Sequence, residues 1–206
     1  MLLAVRPDPK LAWWLSRASG IVAVALVMGS LGSGMALAGK LTRKVPPPAW
    51  NLDLHRQLGA LAAMFAVVHV GGLVADNYTH FGPSDVLIPF ASAWKPEPVA
   101  WGIVAAYLLV TIECTSLLKK HLPLKVWRWV HGTSYAMYPA AILHSYRAGT
   151  DMHNLPLLGA ILVVAIAILI VGVLRVALPA ARNTIRSTGG AARSRIPPDL
   201  TTSKRR

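Results

Sequence analysis

The sequence predicts an all-α integral membrane helical bundle of five transmembrane helices, with the N-terminus outside and the C-terminus cytoplasmic. Three observations carry this expectation. Of 206 residues, 54% are hydrophobic and only 14% charged, and the mean hydropathy of +0.50 lies outside the range of an ordinary soluble domain. Five stretches are long and apolar enough to cross a hydrocarbon core that needs ~20 helical residues. The 21 Lys and Arg residues fall unevenly on the two sides that those spans define.

The spans run from Ala18 to Gly39, Gln57 to Ala75, Val99 to Leu118, Trp129 to Tyr146 and Leu155 to Leu174. The first is preceded by basic residues and ends near Ala36-Leu37-Ala38, a small-residue pattern like that of a cleaved leader. Its uncharged run is longer than the ~7–15 residues of a leader's apolar region. Cleavage would also leave Lys40, Arg43 and Lys44 outside, against the usual bias, so a retained helix is expected. The fourth span carries His, Tyr, Ser, Thr and Pro, a composition suited to facing protein or cofactor rather than lipid. The fifth, LPLLGAILVVAIAILIVGVL, is the most apolar.

Residues 1–17 form an external N-terminal segment and 18–175 the transmembrane domain. Between spans two and three, the segment from Asp76 to Pro98 contains VLIPFASAW, too short to cross, and is expected to lie on the membrane or cap the bundle. Residues 176–206 read as a basic, disordered cytoplasmic tail that can hold anionic lipid at about 1 kcal/mol per basic residue. No internal repeat is evident.

Five spans place the termini on opposite sides. The first loop, the third loop and the C-terminal tail collect 16 of the 21 Lys and Arg, against five on the other side, which makes the richer side cytoplasmic. Tryptophans fit the same frame: Trp13, Trp14, Trp94 and Trp101 at outer span ends, Trp50, Trp127 and Trp129 at inner ends. The net charge of +13, which in a soluble protein would suggest nucleic acid, is therefore a topology signal, and no nucleic-acid partner is expected. A single cysteine, Cys114, excludes an internal disulfide, a CxxC metal site and covalent c-type haem attachment.

Four of the seven histidines lie inside spans: His55 and His69 on the second, His131 and His144 on the fourth. Spacings of 14 and 13 residues correspond to rises of ~21 and ~19.5 Å, so each helix carries one histidine near each face of the membrane. One return crossing separates the two spans, which therefore run parallel and bring His55 level with His131 and His69 level with His144. Two imidazole pairs at two depths are what two six-coordinate b haems stacked across a bilayer require. Helical phase does not demand this: 14 residues return to within ~40° of one face, whereas 13 leave the second histidine ~140° away. Pro139, between His131 and His144, is expected to bend or rewind that helix. Gly71, Gly72 and Gly132 beside the histidines suit either a flat macrocycle or close helix packing. The bland alternative for the four histidines is hydrogen bonding between helices. A zinc or copper site is disfavoured, because the two histidines of one helix are ~20 Å apart and no Cys or carboxylate joins either pair.

LHRQLGALAAMFAVVHV and WRWVHGTSYAMYPAAILHSYRAGTD resemble the two haem-binding helices of the ferric reductase-like transmembrane domain family, especially its small bacterial members. That superfamily includes ferric reductases, NADPH oxidases and the haem subunit of the methionine sulfoxide reductase system. The likeness runs from about Trp13 to Leu174 and includes SDVLIPFASAWKP and TSLLKK. It implies two b haems, His55 and His131 on the inner and His69 and His144 on the outer, in a multi-pass protein of a bacterial cell (inner) membrane. It also implies single-electron transfer to an external acceptor, with ferric iron the acceptor the family suggests, and so a membrane oxidoreductase. The chain departs from the larger members in having no G-x-G-x-x-G or strand pattern after the last span, so no flavin or NAD(P) site is expected. A separate cytoplasmic reductase or a membrane quinol would then supply electrons.

Arg17 and Arg147 near the outer level, and Arg56 and Arg128 near the inner, could pair with haem propionates, Arg17 foremost; topology and lipid phosphate are the alternatives. Glu113, the only carboxylate within a span, could relay protons from quinol, although snorkelling toward Lys119 or Lys120 is simpler. Cys114 is expected to be a small buried apolar residue. His80, His153, Asp76, Asp85 and Asp151 fall outside, where they could attract a metal-ion acceptor. The competing functional reading is an anchoring or docking subunit of a larger complex, with structural haem or none.

Overall fold

The computed structural model describes residues 10–39, 48–76 and 80–149, with 166, 167 and 170 farther on. Apart from those three helical positions, the predicted fifth span lies outside the described residues. So do Arg6, Lys40, Arg43, Lys44, Asp151, His153 and the tail 176–206. The chain divides into two compact units, Met1–Ala165 and Ile166–Arg206, and every helix named here belongs to the first.

All regular structure among the described residues is helical. Helix α1 spans Leu11–Gly39, α2 Pro48–Ala75, the short α3 Pro83–Leu87 and α4 Pro96–Leu117. A 3-10 turn at Lys119–His121 leads to α5, Leu124–Gly132, and α6, Ser134–Ala148. Three helical stretches are long and apolar enough to cross a membrane: Leu11–Ala38, Ala49–Ala75 and Pro96–Leu117. Each begins before the span read from hydropathy. A hydropathy window registers only the apolar stretch, whereas the helix continues outward through turns bearing Trp13, Trp14 and Trp50, side chains at home in the interface. Prolines at the first positions of α2 and α4 suit these starts, because no intrahelical N–H is needed there.

Helix α1 packs along α2, and α4 packs against α5 and α6. Small and polar residues line these seams: Ser16, Ser19, Ala62, Ala100 and Ala105 are buried. Long apolar side chains such as Val67, Val110 and Leu117 point away from the bundle. This inversion of the soluble pattern is expected where hydrocarbon bathes the outside and close backbone approach holds the helices together. Gly72 is one such approach, since a Cβ there would lie 2.9 Å from the Ser16 backbone nitrogen and 3.0 Å from the Ala12 carbonyl oxygen.

The fourth span is not the continuous helix expected from Trp129 to Tyr146. It is interrupted at Thr133, between its two histidines. The Thr133 N–H reaches back only three residues to the Val130 carbonyl, at 3.0 Å, and the Thr133 hydroxyl donates to the same oxygen at 2.7 Å. A side chain competing for a main-chain acceptor weakens the helical ladder, although Thr111, Thr115 and Ser145 make similar bonds within unbroken helices. Pro139, where a bend was expected, lies inside α6.

The segment between α2 and α4 caps the adjoining ends of these two helices. Phe81 is buried with Val99 and Ile103, with Leu73 and Val86 packed against them. The Asp85 carboxylate accepts from the Gly82 N–H at 2.8 Å and closes the first turn of α3. Tyr107 ties the segment down to α4 by donating its hydroxyl proton to the Leu87 carbonyl. Leu87, Ile88 and Phe90 remain exposed, the apolar rim of the cap.

Candidate functional site

His55, His69, His131 and His144 meet in two pairs. The ring centres of His55 and His131 are 5.9 Å apart, and those of His69 and His144 are 6.1 Å apart. Within each pair the rings are close to perpendicular, at 76° and 77°. Two metal–nitrogen bonds of ~2 Å, each prolonged by about 1 Å from nitrogen to ring centre, require a separation of about 6 Å. Both pairs thus have the spacing of imidazoles on opposite sides of a six-coordinate iron. The pairing also makes α2 and the α5–α6 segment parallel. The interruption at Thr133 falls between His131 and His144, whose 13-residue interval would leave them ~140° apart on a continuous helix.

Three of the four rings are oriented from behind by a neighbouring helix. His69 Nδ1 is 2.8 Å from the Ser16 carbonyl oxygen, His55 Nδ1 2.8 Å from the Ser30 carbonyl oxygen, and His144 Nδ1 2.8 Å from the Pro98 carbonyl oxygen. A carbonyl only accepts, so Nδ1 carries the proton and Nε2 keeps the lone pair that a metal needs. In all three cases a glycine stands four residues after the carbonyl. A Cβ on Gly20 would lie 2.8 Å from the His69 ring, on Gly34 3.0 Å from the His55 ring, and on Gly102 2.6 Å from the His144 ring. Glycine is required at these places because the imidazole rests directly on the neighbouring backbone.

On α1 the arrangement is duplicated. Ser16-x-x-Ser19-Gly20 and Ser30-x-x-Ser33-Gly34 are 14 residues apart, the same interval that separates His55 from His69 on α2. Ser16 donates its hydroxyl proton to the His69 carbonyl at 2.9 Å, and Ser30 donates to the His55 carbonyl at 3.2 Å. Ser19 turns back to the Ser16 carbonyl at 3.0 Å, and Ser33 to the Ser30 carbonyl at 2.8 Å. The expectation of no internal repeat therefore fails at this scale: a five-residue serine–glycine motif repeats in register with the histidines. It could have been found by asking which other helix carries a 14-residue interval.

His131 is held differently. Among the described residues its Nδ1 has one hydrogen-bond partner, the Ser116 hydroxyl, at 3.5 Å. Its ring stacks on Trp127 at 4.9 Å and 21°, and the Lys119 ammonium lies 3.9 Å from the same indole centre. Two buried polar atoms lack a partner among the described residues: Trp127 Nε1 near the inner pair and Tyr138 Oη, in sequence between His131 and His144. Donors of this kind suit a polar group seated between the helices, as a propionate-bearing macrocycle would be.

The other expected residues separate. Arg17, next to Ser16, stands over Trp13 at 4.9 Å and over Trp14 at 5.6 Å, at the His69 end of α1. Arg147 forms an ion pair with Glu97, and its carbonyl accepts from Lys95. Arg56 is 3.8 Å from Asp53 on an exposed face. Arg128 lines a cleft of about 670 Å³ with Leu124, Lys125, Trp129, Gly132 and Thr133. Because Arg147 is engaged by Glu97, the variant Arg147→Gln should keep the full cofactor content of the wild-type protein and lose well under 1 kcal/mol of stability, as exposed ion pairs do. A chromophore titration and a thermal melt of the purified variant check this.

No described protein atom comes within 4 Å of a Cβ placed on Gly71 or Gly132, whereas Gly72 serves helix packing. Glu113 does not snorkel to Lys119, whose ammonium is over Trp127; instead its carboxylate lies against Gly59 of α2, where a Cβ would come within 2.5 Å. Cys114 is exposed rather than buried, because it shares with Val110 and Leu117 the side of α4 that turns away from the bundle. His80 and Asp85 both line a cleft of about 280 Å³, with Phe81, Ser92, Ala93 and Trp94. Among the described residues no three His, Cys, Asp or Glu side chains gather at one point.

No curated protein matches the chain, and no solved structure does. The family model of the ferric reductase like transmembrane component matches residues 19–142, a stretch that contains His55, His69, His131 and, apart from Ser16, both serine–glycine motifs; His144 lies two residues beyond its end. Domains of this family commonly bind haem, and together with the three membrane-length helices the match makes the chain an integral membrane protein. Covering more than half of its length, that match establishes that the chain belongs to the ferric reductase-like transmembrane component family.

Proposed function

We propose that the protein is a di-haem b carrier of single electrons across a bacterial cell membrane, multi-pass, with its N-terminus outside. The observation that carries this reading is the pair of six-ångström imidazole separations, each with a protonated Nδ1 turned away on at least one side. His55 and His131 hold the inner haem, and His69 and His144 the outer. When bound, the two haems supply one-electron redox chemistry at two depths.

The chain's own residues position and insulate. The Ser16, Ser30 and Pro98 carbonyls fix the tautomer and plane of their histidines, so that little rearrangement accompanies a change of charge. Gly20, Gly34 and Gly102 let the rings seat deeply, and the apolar helices exclude water. Arg17 supplies a cation at the outer level, where it can neutralise a propionate. Each electron entering at the cytoplasmic side leaves at the outer side, and no covalent bond is made or broken in transit. A separate cytoplasmic reductase or membrane quinol is the donor, and the acceptor is external, with ferric iron the class the family favours. The outer cleft at His80 and Asp85 is where a metal-ion acceptor would be held.

Reconstitution into sealed vesicles tests the reading. With dithionite trapped inside and ferricyanide outside, ferricyanide should bleach at a rate proportional to the protein inserted with its cytoplasmic side inward. Bleaching no faster than in empty vesicles would overturn it.

A further inference from the structure

Three of the four histidines obey one rule: a backbone carbonyl accepts from Nδ1 at 2.8 Å, and a glycine four residues later receives the ring. His131 does not. The residue that faces its Nδ1 is Ser116, through a hydroxyl at 3.5 Å, and four residues after Ser116 comes Lys120, past the end of α4 at Leu117. In place of the clamp stands Trp127, one turn earlier on α5, stacked nearly parallel to the imidazole at 21°. Lys119, in the 3-10 turn that joins α4 to α5, reaches over the same indole to 3.9 Å.

Resting on the reading of the histidine pairs as iron ligands, we propose that Trp127 is a positioning residue that sets the ring plane of His131 in place of a carbonyl clamp. Lys119, through the same stack, makes the inner haem the better electron acceptor of the two. Two effects act in one direction. A strong acceptor on Nδ1–H makes an imidazole more basic and favours oxidised iron, and His131 lacks that acceptor while both outer ligands have it. A fixed positive charge near an iron favours the reduced state, and Lys119 is held by the indole beside the inner ligand. The inner site therefore fills first, and an electron moves on when the external acceptor draws it from the outer haem.

The test uses the full-length purified protein with both haems bound, followed by redox titration and low-temperature electron paramagnetic resonance. Trp127→Leu should displace one of two low-spin signals, because that signal reports the angle between the two imidazole planes, and Trp127→Phe, which keeps a ring to stack, should restore it. Lys119→Met should lower the reduction equilibrium constant of that same haem by about three- to tenfold, where tenfold is ~59 mV for one electron, and leave the other haem unmoved. The proposal is overturned if the Leu and Met variants keep both signals and both midpoints of the wild type, or if they disturb different haems. Wild-type protein without haem would instead overturn the ligand reading on which the proposal rests.

Discussion

His69→Ala protein should purify with half the wild-type haem, and its transfer of electrons to an external acceptor should fall by more than ~100-fold. That bound follows from comparison with outer-shell residues, whose loss already costs 10–100-fold in affinity or activity. The reason is geometric. His69 faces His144 across 6.1 Å, and no other His, Cys, Asp or Glu among the described residues gathers there to replace it. The inner pair, ~21 Å away along the helix axis, has its own clamp on α1 and should keep its haem. Haem quantitation against protein, with vesicle transfer rates, separates the outcomes: retention of both haems with full transfer would refute the assignment.

Gly102→Val should approach the same loss without touching a ligand. A Cβ at Gly102 would lie 2.6 Å from His144 Nδ1, the atom that donates to the Pro98 carbonyl. The added side chain must push the ring off α4, breaking the bond that fixes its tautomer, so the outer haem should bind 10–100-fold more weakly. Cys114→Val on the same helix is the matched control, because that side chain is exposed and haem content should not change. Titrating haem into the apoproteins of both variants makes the comparison. Equal affinities would show that the glycines four residues after each carbonyl do not seat the rings.

The pairing of histidines was legible in the sequence because it needs little: the Lys and Arg asymmetry, the count of spans, and two intervals of 14 and 13 residues. The means of holding them was less legible. At Ser16, Ser30 and Pro98 the acceptor is a main-chain carbonyl, which every residue possesses, so no side chain announces it. The accompanying glycines do leave a trace, and the repeated Ser-x-x-Ser-Gly of α1 stood in plain view at the histidine interval. Gly20, Gly34 and Gly102 stand opposite the histidines in space, not beside them in sequence.

The fourth span shows a different limit. Proline is the strongest helix breaker on paper, yet Pro139 sits within α6, while the chain is interrupted at Thr133, where a hydroxyl takes the Val130 carbonyl. Nothing in hydropathy separates those two outcomes. The phases of Glu113 and Cys114 were hidden for a related reason. Which side of α4 meets α2 depends on helix packing, and a span apolar all round carries little periodic signal.

The most direct test of two haems between two histidine pairs is the haem-to-protein ratio of the purified chain, read with its reduced-minus-oxidised spectrum and its paramagnetic resonance. Two low-spin b haems per chain are expected, both giving the strongly anisotropic signals of near-perpendicular imidazole planes, as the 76° and 77° angles require. A chain that purifies folded but without haem, or with a single haem, would contradict the account.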